Sequence, residues 1–348
     1  MKMLEQHFVA SLERRTFIIG EAGVNHNGDL TTALKMIDAA KGCDADAVKF
    51  QTWKTDNIIV PGTRKVDYQL ESTGDGESQY GMLRRLELSY DDFDKLKQHC
   101  EEVDILFMST PDDTESADFL DSLGVEIFKI GSGEITNMSL IERVAKKGRP
   151  IILSTGMASI EEIDGAVACL RQAGSQSFAL LHCVSDYPAN YADLNLRVIN
   201  SLKDRYSVPI GFSDHSLGIE MPIAAVALGA SIIEKHFTLD RSMTGPDHQC
   251  SLEVAEFRQM VRAIRNVEEA LGDGIKRITA TELRSRSLVR KVLVAARDIK
   301  AGEILDETMV LAKRAGKGIA ASELAQVVGR TVQRDLRPNE ILSSDILS

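Results

Sequence analysis

Short apolar runs alternate with longer amphipathic stretches from residue 17 to about residue 272, and this alternation constrains the fold more than any other feature. Eight runs have the length and side chains of buried strands, at residues 17–20, 47–51, 105–109, 127–130, 150–154, 179–183, 209–212 and 231–235. A stretch with helical spacing follows each run, at residues 30–41, 91–102, 115–123, 140–147, 160–173, 194–203, 219–228 and 254–271. Near-continuous apolar strands that alternate with helices indicate a parallel sheet covered on its outer face.

Eight such units in roughly 250 residues match the size of a (β/α)8 TIM barrel, which is the fold we predict. A doubly wound open sheet is the alternative, although it more often has fewer strands. The barrel would occupy residues 16–275, a basic and polar linker residues 276–289, and a small domain with short β-prone runs residues 290–348. One long connection, residues 52–90, is rich in Asp, Gly, Ser and Thr, and it is either a lid over the site or a solvated insertion.

Composition argues against several classes of protein. The chain has 41 basic and 52 acidic residues, a net charge of −11, which disfavours a nucleic-acid binder because phosphate backbones attract basic surfaces. Five cysteines without CxxC spacing predict reduced thiols. The first 15 residues lack the apolar core of a signal peptide. The longest apolar stretch, residues 221–233, is shorter than the ~20 residues of a membrane span, so we predict a cytoplasmic protein.

Polar side chains interrupt the apolar runs almost only at their carboxyl ends. These side chains include Glu21, Lys49, Gln51, Thr110, Lys129, Ser132, Ser154, Ser213, His215, Glu234 and His236. Barrel enzymes build their active sites from several strand ends at that face. Surface decoration alone would place polar residues equally at both ends of the strands. The pattern therefore predicts a catalytic barrel mouth.

Two lysines and a group of hydroxyls point to an anionic ligand. Lys49 and Lys129 bring positive charge to the predicted mouth, and hydroxyl donors come from Thr110, Ser132, Ser154 and Ser213. The Gly-Ser-Gly turn at residues 131–133 can direct backbone N–H groups toward an anion, although such triplets are most often simple turns. Together these groups suit a ligand that carries both a phosphate and a carboxylate.

His215 and His236 end neighbouring strands, so their imidazoles can converge on one divalent transition metal with open coordination positions. A lone histidine is more often structural, but two at matched positions favour a metal site. Because strand side chains alternate, Glu234 and His236 face the barrel interior while Lys235 faces the helices. Glu234 is then a base acting on water, a further metal ligand, or the buried partner of a lysine. Asp247 either binds a sugar hydroxyl or caps a turn.

The same strand ends resemble those of the sialic acid synthase family, which comprises N-acetylneuraminate, legionaminate and pseudaminate synthases. The matching text is EAGVNHNGD (21–29), VKFQT (48–52), FKIGSGE (128–134), ILSTGM (152–157), LLHCVSDYP (180–188), GFSDHS (211–216), IEKHFTLD (233–240) and GPDH (245–248). The tail, with RDIKAGE (297–303) and KRAGKGI (313–319), resembles the family's antifreeze-like (SAF-type) domain. The resemblance covers essentially the whole chain after residue 15, and its motifs are jointly specific.

The resemblance implies that phosphoenolpyruvate condenses with N-acetylmannosamine to give N-acetylneuraminate and phosphate. It implies a divalent metal ion, with Mn²⁺ favoured and Mg²⁺ or Co²⁺ as alternatives. It also implies that the catalytic residues are Glu234, Lys129 and Glu21. The metal ligands would be His215 and His236. Phosphoenolpyruvate would be held by Lys49, Thr110, Lys129, Ser132, Ser154, Ser185 and Ser213, and the sugar by Glu21, Gln51, Tyr187, Asp247 and Arg314. In the family the residue matching Arg314 reaches over a neighbouring subunit, which implies a domain-swapped homodimer.

Two departures from the family pattern are visible. Ala315 follows Arg314 where many members have proline, and Ser185 stands where some N-acetylneuraminate synthases have asparagine. Legionaminate synthesis from a 2,4-diacetamido-2,4,6-trideoxymannose is the main competing interpretation, because its substrate differs only at C4 and C6. Two further interpretations are a phosphoenolpyruvate-dependent barrel synthase for a phosphorylated aldose and a non-catalytic barrel that binds carbohydrate or ice. Retention of two histidines, Glu234 and both lysines argues against a non-catalytic barrel.

Overall fold

The computed structural model describes Leu12 and residues 15–348, and the chain divides into two compact units, residues 1–272 and 273–348. Eight parallel strands of the first unit form a closed sheet in which the first strand pairs with the second and with the eighth. They are β1 Phe17–Gly23, β2 Ala47–Thr52, β3 Leu106–Pro111, β4 Phe128–Ile130, β5 Ile151–Ser154, β6 Phe178–Cys183, β7 Ile210–Asp214 and β8 Ile232–Thr238. The predicted (β/α)8 barrel is confirmed, since an open sheet would leave β1 and β8 unpaired with each other. A two-residue strand, β9 Leu252–Glu253, pairs with the end of β8.

Helices connect the strands around the outside of the barrel. In chain order they are α1 Leu30–Gly42, α2 Thr55–Ile58, α3 Asp67–Thr73, α4 Gln79–Leu86, α5 Tyr90–Glu102, α6 Thr114–Leu123, α7 Met138–Ala145, α8 Ile160–Gln172, α9 Val198–Tyr206, α10 Glu220–Ala227 and α11 Val254–Leu271. Polar caps begin several of them: Asp29 caps α1, and Ser89 and Ser159 form capping boxes with Asp92 and Glu162. These caps satisfy backbone N–H groups that the first helical turn leaves unpaired.

Apolar side chains fill the barrel beneath its carboxyl-end mouth. Strand side chains alternate, so the residue two positions before a mouth residue also points inward. Ile19 precedes Glu21 in this way and Ile232 precedes Glu234, and both isoleucines are fully buried. The interior cluster contains Ile19, Ala47, Met108, Ile127, Ile152, Ala179, Leu181 and Ile232. This packed floor holds the polar mouth residues from below.

The first and last strands of the barrel are longer than predicted at their carboxyl ends. β1 extends to Gly23 and β8 to Thr238, so Glu21 and His236 lie within strands and pair across the β1–β8 register. Polar interior positions interrupt the apolar pattern although the backbone continues to pair, which is why the pattern ended these two runs too early. The helix predicted at residues 194–203 begins later, at Val198, after a 3₁₀ turn.

The long connection after β2, residues 53–89, contains the short helices α2, α3 and α4. A small apolar cluster joins it to the end of β1, formed by Val24, Trp53, Met82 and Leu86. Thr55 donates to the Glu87 carboxylate through its backbone N–H at 2.9 Å and through its hydroxyl at 2.7 Å. The segment, called the cap below, is therefore folded and packed on the barrel rather than a solvated insertion.

The second unit, residues 273–348, has a small apolar core of its own. It contains α12 Ala280–Val289, the antiparallel pair β10 Val292–Ala295 and β11 Val310–Lys313, and α13 Leu324–Val327. Isolated bridges such as Ile299 with Leu336 add to the β-structure. The core residues include Leu293, Ala295, Ile299, Leu305, Val332, Leu336 and Leu342. The residues predicted as a linker, 276–289, include the whole of α12.

Three predictions concern compartment and membrane. Most of residues 1–15, where we predict no signal peptide, lies outside the described residues. In the part that the structure describes, no helix has both the length and the apolarity to cross a membrane. The apolar stretch at 221–233 is divided between α10 and β8. All five cysteines are free, in line with the prediction of reduced thiols.

Candidate active site

Four buried charged side chains meet at the centre of the barrel mouth. Lys49 and Lys129, on β2 and β4, are 3% and 2% exposed, and Glu21 and Glu234, on β1 and β8, are 1% and 4% exposed. Nζ of Lys49 lies 2.8 Å from Oε2 of Glu21 and 3.8 Å from Oε2 of Glu234. Nζ of Lys129 lies 3.6 Å from Oε1 of Glu234. Burial of a charge is costly unless it has a partner, which explains why these four form one network.

Hydroxyl groups from neighbouring strands extend the network around the lysines. Nζ of Lys49 donates to Oγ1 of Thr110, on β3, at 3.0 Å. Nζ of Lys129 donates to Oγ of Ser154, on β5, at 2.7 Å. Ammonium and hydroxyl donors from four consecutive strands thus surround one space. Such donors make short, strong hydrogen bonds to an anion, so the arrangement suits a polyanionic ligand.

Glu234 lies between the two lysines. Oγ of Ser213, on β7, donates to Oε1 of Glu234 at 3.0 Å. Burial alone would raise the pKa of Glu234, but Lys129 and Lys49 outweigh burial and lower the pKa below its usual value. The carboxylate is therefore ionised at neutral pH, and it has the charge state of a general base.

Glu21 has a different environment from Glu234. Burial raises the pKa of Glu21 to about 7, against the lowering effect of Lys49, and the nearby charge of Glu234 raises it as well. Nε2 of Gln51 donates to Oε1 of Glu21 at 3.2 Å. The two carboxylates thus differ in pKa although they share a lysine. Such a difference is typical of sites where one group donates a proton and the other accepts one.

His215 and His236 lie side by side at the ends of β7 and β8, with ring centroids 5.5 Å apart. Nδ1 of His215 donates to the carbonyl of Val184 at 2.7 Å, which directs the other ring nitrogen to a ligand. Nδ1 of His236 is buried, lacks a hydrogen-bond partner among the described residues, and lies 3.8 Å from Oδ2 of Asp247. Burial lowers the pKa of His236 well below its usual value, so this ring is neutral.

The two imidazoles fit a metal site that leaves coordination positions open. In Leu12 and residues 15–348, no three His, Cys, Asp or Glu side chains are arranged to hold a metal ion. A cation at the histidine pair would therefore take further ligands from water and substrate, as catalytic metals commonly do. Burial alone would lower the pKa of His215, but Cys183 and the Val184 carbonyl raise it to about 9, so binding of a cation at neutral pH would release a proton.

The remaining predicted residues of the first unit lie around the same mouth. Oγ of Ser132 accepts from the backbone N–H of Gly156 at 3.0 Å. A Cβ on Gly156 would lie 2.3 Å from Oγ of Ser185 and 2.8 Å from Oγ of Ser132, so only glycine lets these two serines approach. Tyr187 stacks on His215 with ring centroids 4.0 Å apart. The mouth therefore contains Ser132, Ser185 and Tyr187 as the resemblance implies.

Two residues predicted to bind the sugar, Asp247 and Arg314, lie in different units of the chain. Asp247 is buried beside His236, and burial raises the pKa of its carboxyl group to about 6. Arg314 follows β11 and belongs to the second unit. The first unit therefore contains every predicted site residue except Arg314.

Two residues with a supporting role were missed from the sequence. Nδ2 of Asn25 donates to the carbonyl of Phe237 at 2.9 Å and to Oγ of Ser251 at 2.8 Å. Ser251 in turn donates to the carbonyl of Asp247 at 2.6 Å. Asn25 and Ser251 thus hold the turn that carries Asp247. Asn25 lies within the text EAGVNHNGD, but its partner is 226 residues away, so no spacing signal could connect them.

Residues 36–276 match the NeuB family, and residues 290–347 match the SAF domain. The chain belongs to the NeuB family. The predicted resemblance to sialic acid synthases and to an SAF-type tail is confirmed, and the chain is an enzyme of this synthase family.

Several relatives of this NeuB-family enzyme are similar over nearly their whole length. The N,N'-diacetyllegionaminic acid synthase of Campylobacter jejuni is 46% identical over 331 residues, 94% of this chain and 99% of that protein. The protein of the same name from Legionella pneumophila is 44% identical and covers 92% of this chain and 91% of its own. The crystal structure of N-acetylneuraminic acid (sialic acid) synthetase from Leptospira borgpetersenii, in complex with citrate, is 41% identical, with a TM-score of 0.69 over 78% of this chain and 90% of that one.

Proposed function

We propose that this NeuB-family enzyme condenses phosphoenolpyruvate with an open-chain, N-acetylated mannosamine, giving a nine-carbon keto acid and inorganic phosphate. The observation that carries the proposal is the meeting of Lys49, Lys129 and Glu234 beside His215 and His236 at one mouth, with lysine Nζ atoms within 3.8 Å of the Glu234 carboxylate. A phosphate and a carboxylate need the ammonium groups, and an aldehyde that accepts a carbon nucleophile needs an electrophilic catalyst.

The lysine side of the mouth suits phosphoenolpyruvate. Lys49 with Thr110 and Lys129 with Ser154 offer two paired donor sets for its phosphate and carboxylate oxygens. Further hydroxyls come from Ser132, Ser185 and Ser213. The two ammonium charges are, however, already offset by the carboxylate of Glu234 and, when it is ionised, by that of Glu21. A trianionic substrate therefore requires added positive charge, which a divalent cation would provide.

We further propose that His215 and His236 hold that divalent cation, Mn²⁺ first and Mg²⁺ or Co²⁺ as alternatives. When bound, it would act as a Lewis acid on the sugar aldehyde. The unpaired buried Nδ1 of His236 and the hydrogen bond to the Val184 carbonyl that orients the His215 ring support this assignment.

The bond changes can be assigned to the residues of the mouth. C3 of phosphoenolpyruvate attacks the aldehyde carbon, and the new hydroxyl takes a proton that Glu21, with its pKa of about 7, is suited to hold. Water then adds at C2 and gives its proton to the Glu234 carboxylate. The tetrahedral centre collapses to a ketone as the C2–O bond to phosphate breaks, and the proton of the C2 hydroxyl passes to the departing phosphate. Lys49 and Lys129 stabilise the charge on the departing phosphate.

The names of relatives favour one sugar over another. Two proteins 46% and 44% identical to this chain are named N,N'-diacetyllegionaminic acid synthase, which favours 2,4-diacetamido-2,4,6-trideoxymannose as the substrate. N-Acetylmannosamine is the second candidate, because a structure 41% identical is named N-acetylneuraminic acid synthetase. The two sugars differ at C4 and C6, and not at the reacting aldehyde. Gln51, Tyr187 and Asp247 would contact the sugar.

The test is a phosphate-release assay with Mn²⁺, phosphoenolpyruvate and each of the two sugars, compared by kcat/KM. We expect release that depends on the sugar and is faster with the diacetamido sugar. Glu234→Gln, which removes the base but keeps the volume, should abolish release under the same conditions. Faster release with N-acetylmannosamine would select the second candidate. Release that needs no sugar, or no release with either sugar, would contradict the proposal.

A further inference from the structure

An aromatic stack joins the cap, residues 53–89, to the two histidines of the mouth. The ring of Tyr68, on α3, lies 4.9 Å from the ring of Tyr187, with the ring planes 24° apart. The ring of Tyr187 lies 4.0 Å from that of His215, at 30°. It also meets the ring of His236 edge-on, at 5.7 Å and 89°. Tyr187 is therefore held between the imidazoles on one side and Tyr68 on the other.

The helix that carries Tyr68 is anchored within the cap by a buried lysine. Lys65 is 4% exposed, and its Nζ donates to Oγ1 of Thr73 at 2.8 Å and to the carbonyl of Gly74 at 3.1 Å. These bonds join the residues before α3 to its carboxyl end. An ammonium group is buried at a cost unless it is hydrogen-bonded, so these contacts select one arrangement of the helix. Tyr68 therefore lies on a helix whose arrangement within the cap is fixed by these hydrogen bonds.

Tyr68 also lies near Asp247, the second residue assigned to the sugar. Burial raises the pKa of the Tyr68 hydroxyl, and the charge of Asp247 raises it further. The donors assigned to phosphoenolpyruvate, such as Lys129 and Ser154, belong instead to β4 and β5. The contacts of Tyr68 therefore lie on the sugar half of the site.

We propose that Tyr68 is a positioning residue for the sugar half of the active site, which holds Tyr187 against His215 before the sugar binds. The inference rests on the proposed function, and it assigns a purpose to the cap. Stacked aromatic pairs contribute beyond the area that they bury. A binding wall that is ordered in advance lowers the entropy lost when a ligand binds. Loss of the stack should therefore weaken sugar binding and leave phosphoenolpyruvate binding almost unchanged.

Three substitutions of one residue separate stacking from simple bulk. Tyr68→Ala and Tyr68→Leu remove the stack, whereas Tyr68→Phe keeps it and loses only the hydroxyl. We expect the first two to raise the sugar KM by about two- to tenfold, the range that one aromatic pair supports. The KM for phosphoenolpyruvate should stay within about twofold of wild type, because the stack of Tyr68 on Tyr187 lies outside the phosphoenolpyruvate site and does not contribute to its binding energy. Tyr68→Phe should have the same sugar KM as wild type. The matched control is Glu71→Ala, which changes an exposed residue of the same helix.

The single tryptophan reports whether the cap remains folded. Trp53 is 2% exposed in the apolar cluster beneath the cap, so unfolding of the cap would shift its emission to the red. The KM comparison is read on whichever of Tyr68→Ala and Tyr68→Leu keeps the buried emission. A red shift in both would overturn the proposal, because Tyr68 would then be needed to fold the cap rather than to position Tyr187.

The wild-type assay separates failure of this inference from failure of the proposed function. If the wild-type enzyme releases no phosphate in a sugar-dependent way, the proposed function fails whatever Tyr68 does. If the wild type is active, and loss of the stack changes both KM values equally or neither, the positioning role is overturned. A selective rise in the sugar KM that Tyr68→Phe does not show supports it.

Discussion

Lys235 and Asp214 form a wholly buried ion pair on the outer face of the barrel strands, with Nζ 2.6 Å from Oδ2 and both side chains 0% exposed. Lys235 also donates to the carbonyl of Ser216, and Oδ1 of Asp214 accepts from the backbone N–H and the hydroxyl of Ser216 at 2.9 and 2.7 Å. Asp214 precedes His215 and Lys235 precedes His236 in the sequence. The pair therefore fixes the backbone of both candidate metal ligands from behind.

Substitution Lys235→Met should destabilise the protein strongly. It leaves the buried carboxylate of Asp214 without its partner, and we expect the free energy of unfolding to fall by about 3–5 kcal/mol. The double variant Asp214→Asn/Lys235→Met should recover part of this loss because no buried charge remains. The measurement is urea-induced unfolding followed by circular dichroism, with the slope m checked for constancy.

The control for this prediction is Arg205→Met, which breaks the ion pair with Asp164 on the surface. Exposed pairs contribute little, so its unfolding midpoint should remain that of wild type. A Lys235→Met variant as stable as the Arg205→Met variant would show that the buried pair does not stabilise the barrel.

Substitution His236→Ala should abolish both metal binding and phosphate release. The histidine is one of the two imidazole ligands that we assign, and the other ligand positions would be water and substrate, which bind weakly alone. The measurement is a Mn²⁺ titration by electron paramagnetic resonance beside the phosphate assay, with thermal unfolding to show that the fold is intact. His99→Ala, on a partly exposed helix residue, is the control. Substantial turnover by the purified His236→Ala enzyme would refute the metal assignment.

Substitution Arg314→Ala should raise the KM of the sugar more than that of phosphoenolpyruvate. The resemblance implies that Arg314, in the second unit, reaches the sugar of a neighbouring copy. Co-expression of Arg314→Ala with Glu234→Gln tests that assignment, because in a domain-swapped dimer one mouth then receives both intact residues. At a sugar concentration below the raised KM, we expect the mixed dimer to be more active than either variant alone. Equal effects on both KM values, or no recovery on mixing, would place Arg314 elsewhere.

Stability should fall as the pH is lowered from about 6.5 to 4, partly because of His26. Burial lowers the pKa of His26 to about 4, whereas in the unfolded chain it titrates near its usual value. Between these values the unfolded state binds a proton that the folded state does not, so the linkage destabilises the fold by up to about 3 kcal/mol at the acid end. Above the pKa that His26 has in the unfolded chain, its ring is neutral in both states and does not affect stability.

The variant that checks the pH dependence is His26→Asn, whose amide oxygen can still accept from the N–H of Gly28, as Nδ1 of His26 does at 3.0 Å. The drop in unfolding free energy between pH 7 and pH 4.5 should be smaller in this variant than in wild type. It should not vanish, since burial also lowers the pKa of His248 to about 4. An identical drop in His26→Asn and wild type would contradict the assignment.

Local patterns in the chain were sufficient to predict the barrel and most of its mouth. Strand and helix periods are properties of short segments, and a parallel barrel brings all carboxyl ends to one face. Lys49, Lys129, Glu234 and His236 could therefore be placed together without any knowledge of distant contacts. The same logic predicted that Lys235 points away from them, and its contact with Asp214 confirms this.

Tertiary packing alone decided the contacts that support those residues. Tyr68 meets Tyr187 only because the cap folds back over the mouth, and Asn25 reaches Ser251 across 226 residues of chain. The opposite pKa shifts of Glu21 and Glu234 likewise depend on burial and on the number of lysines beside each carboxylate, one for Glu21 and two for Glu234. Sequence spacing describes neighbours along one strand or helix. Contacts between remote segments, and the desolvation that they produce, exist only once the chain has closed around them.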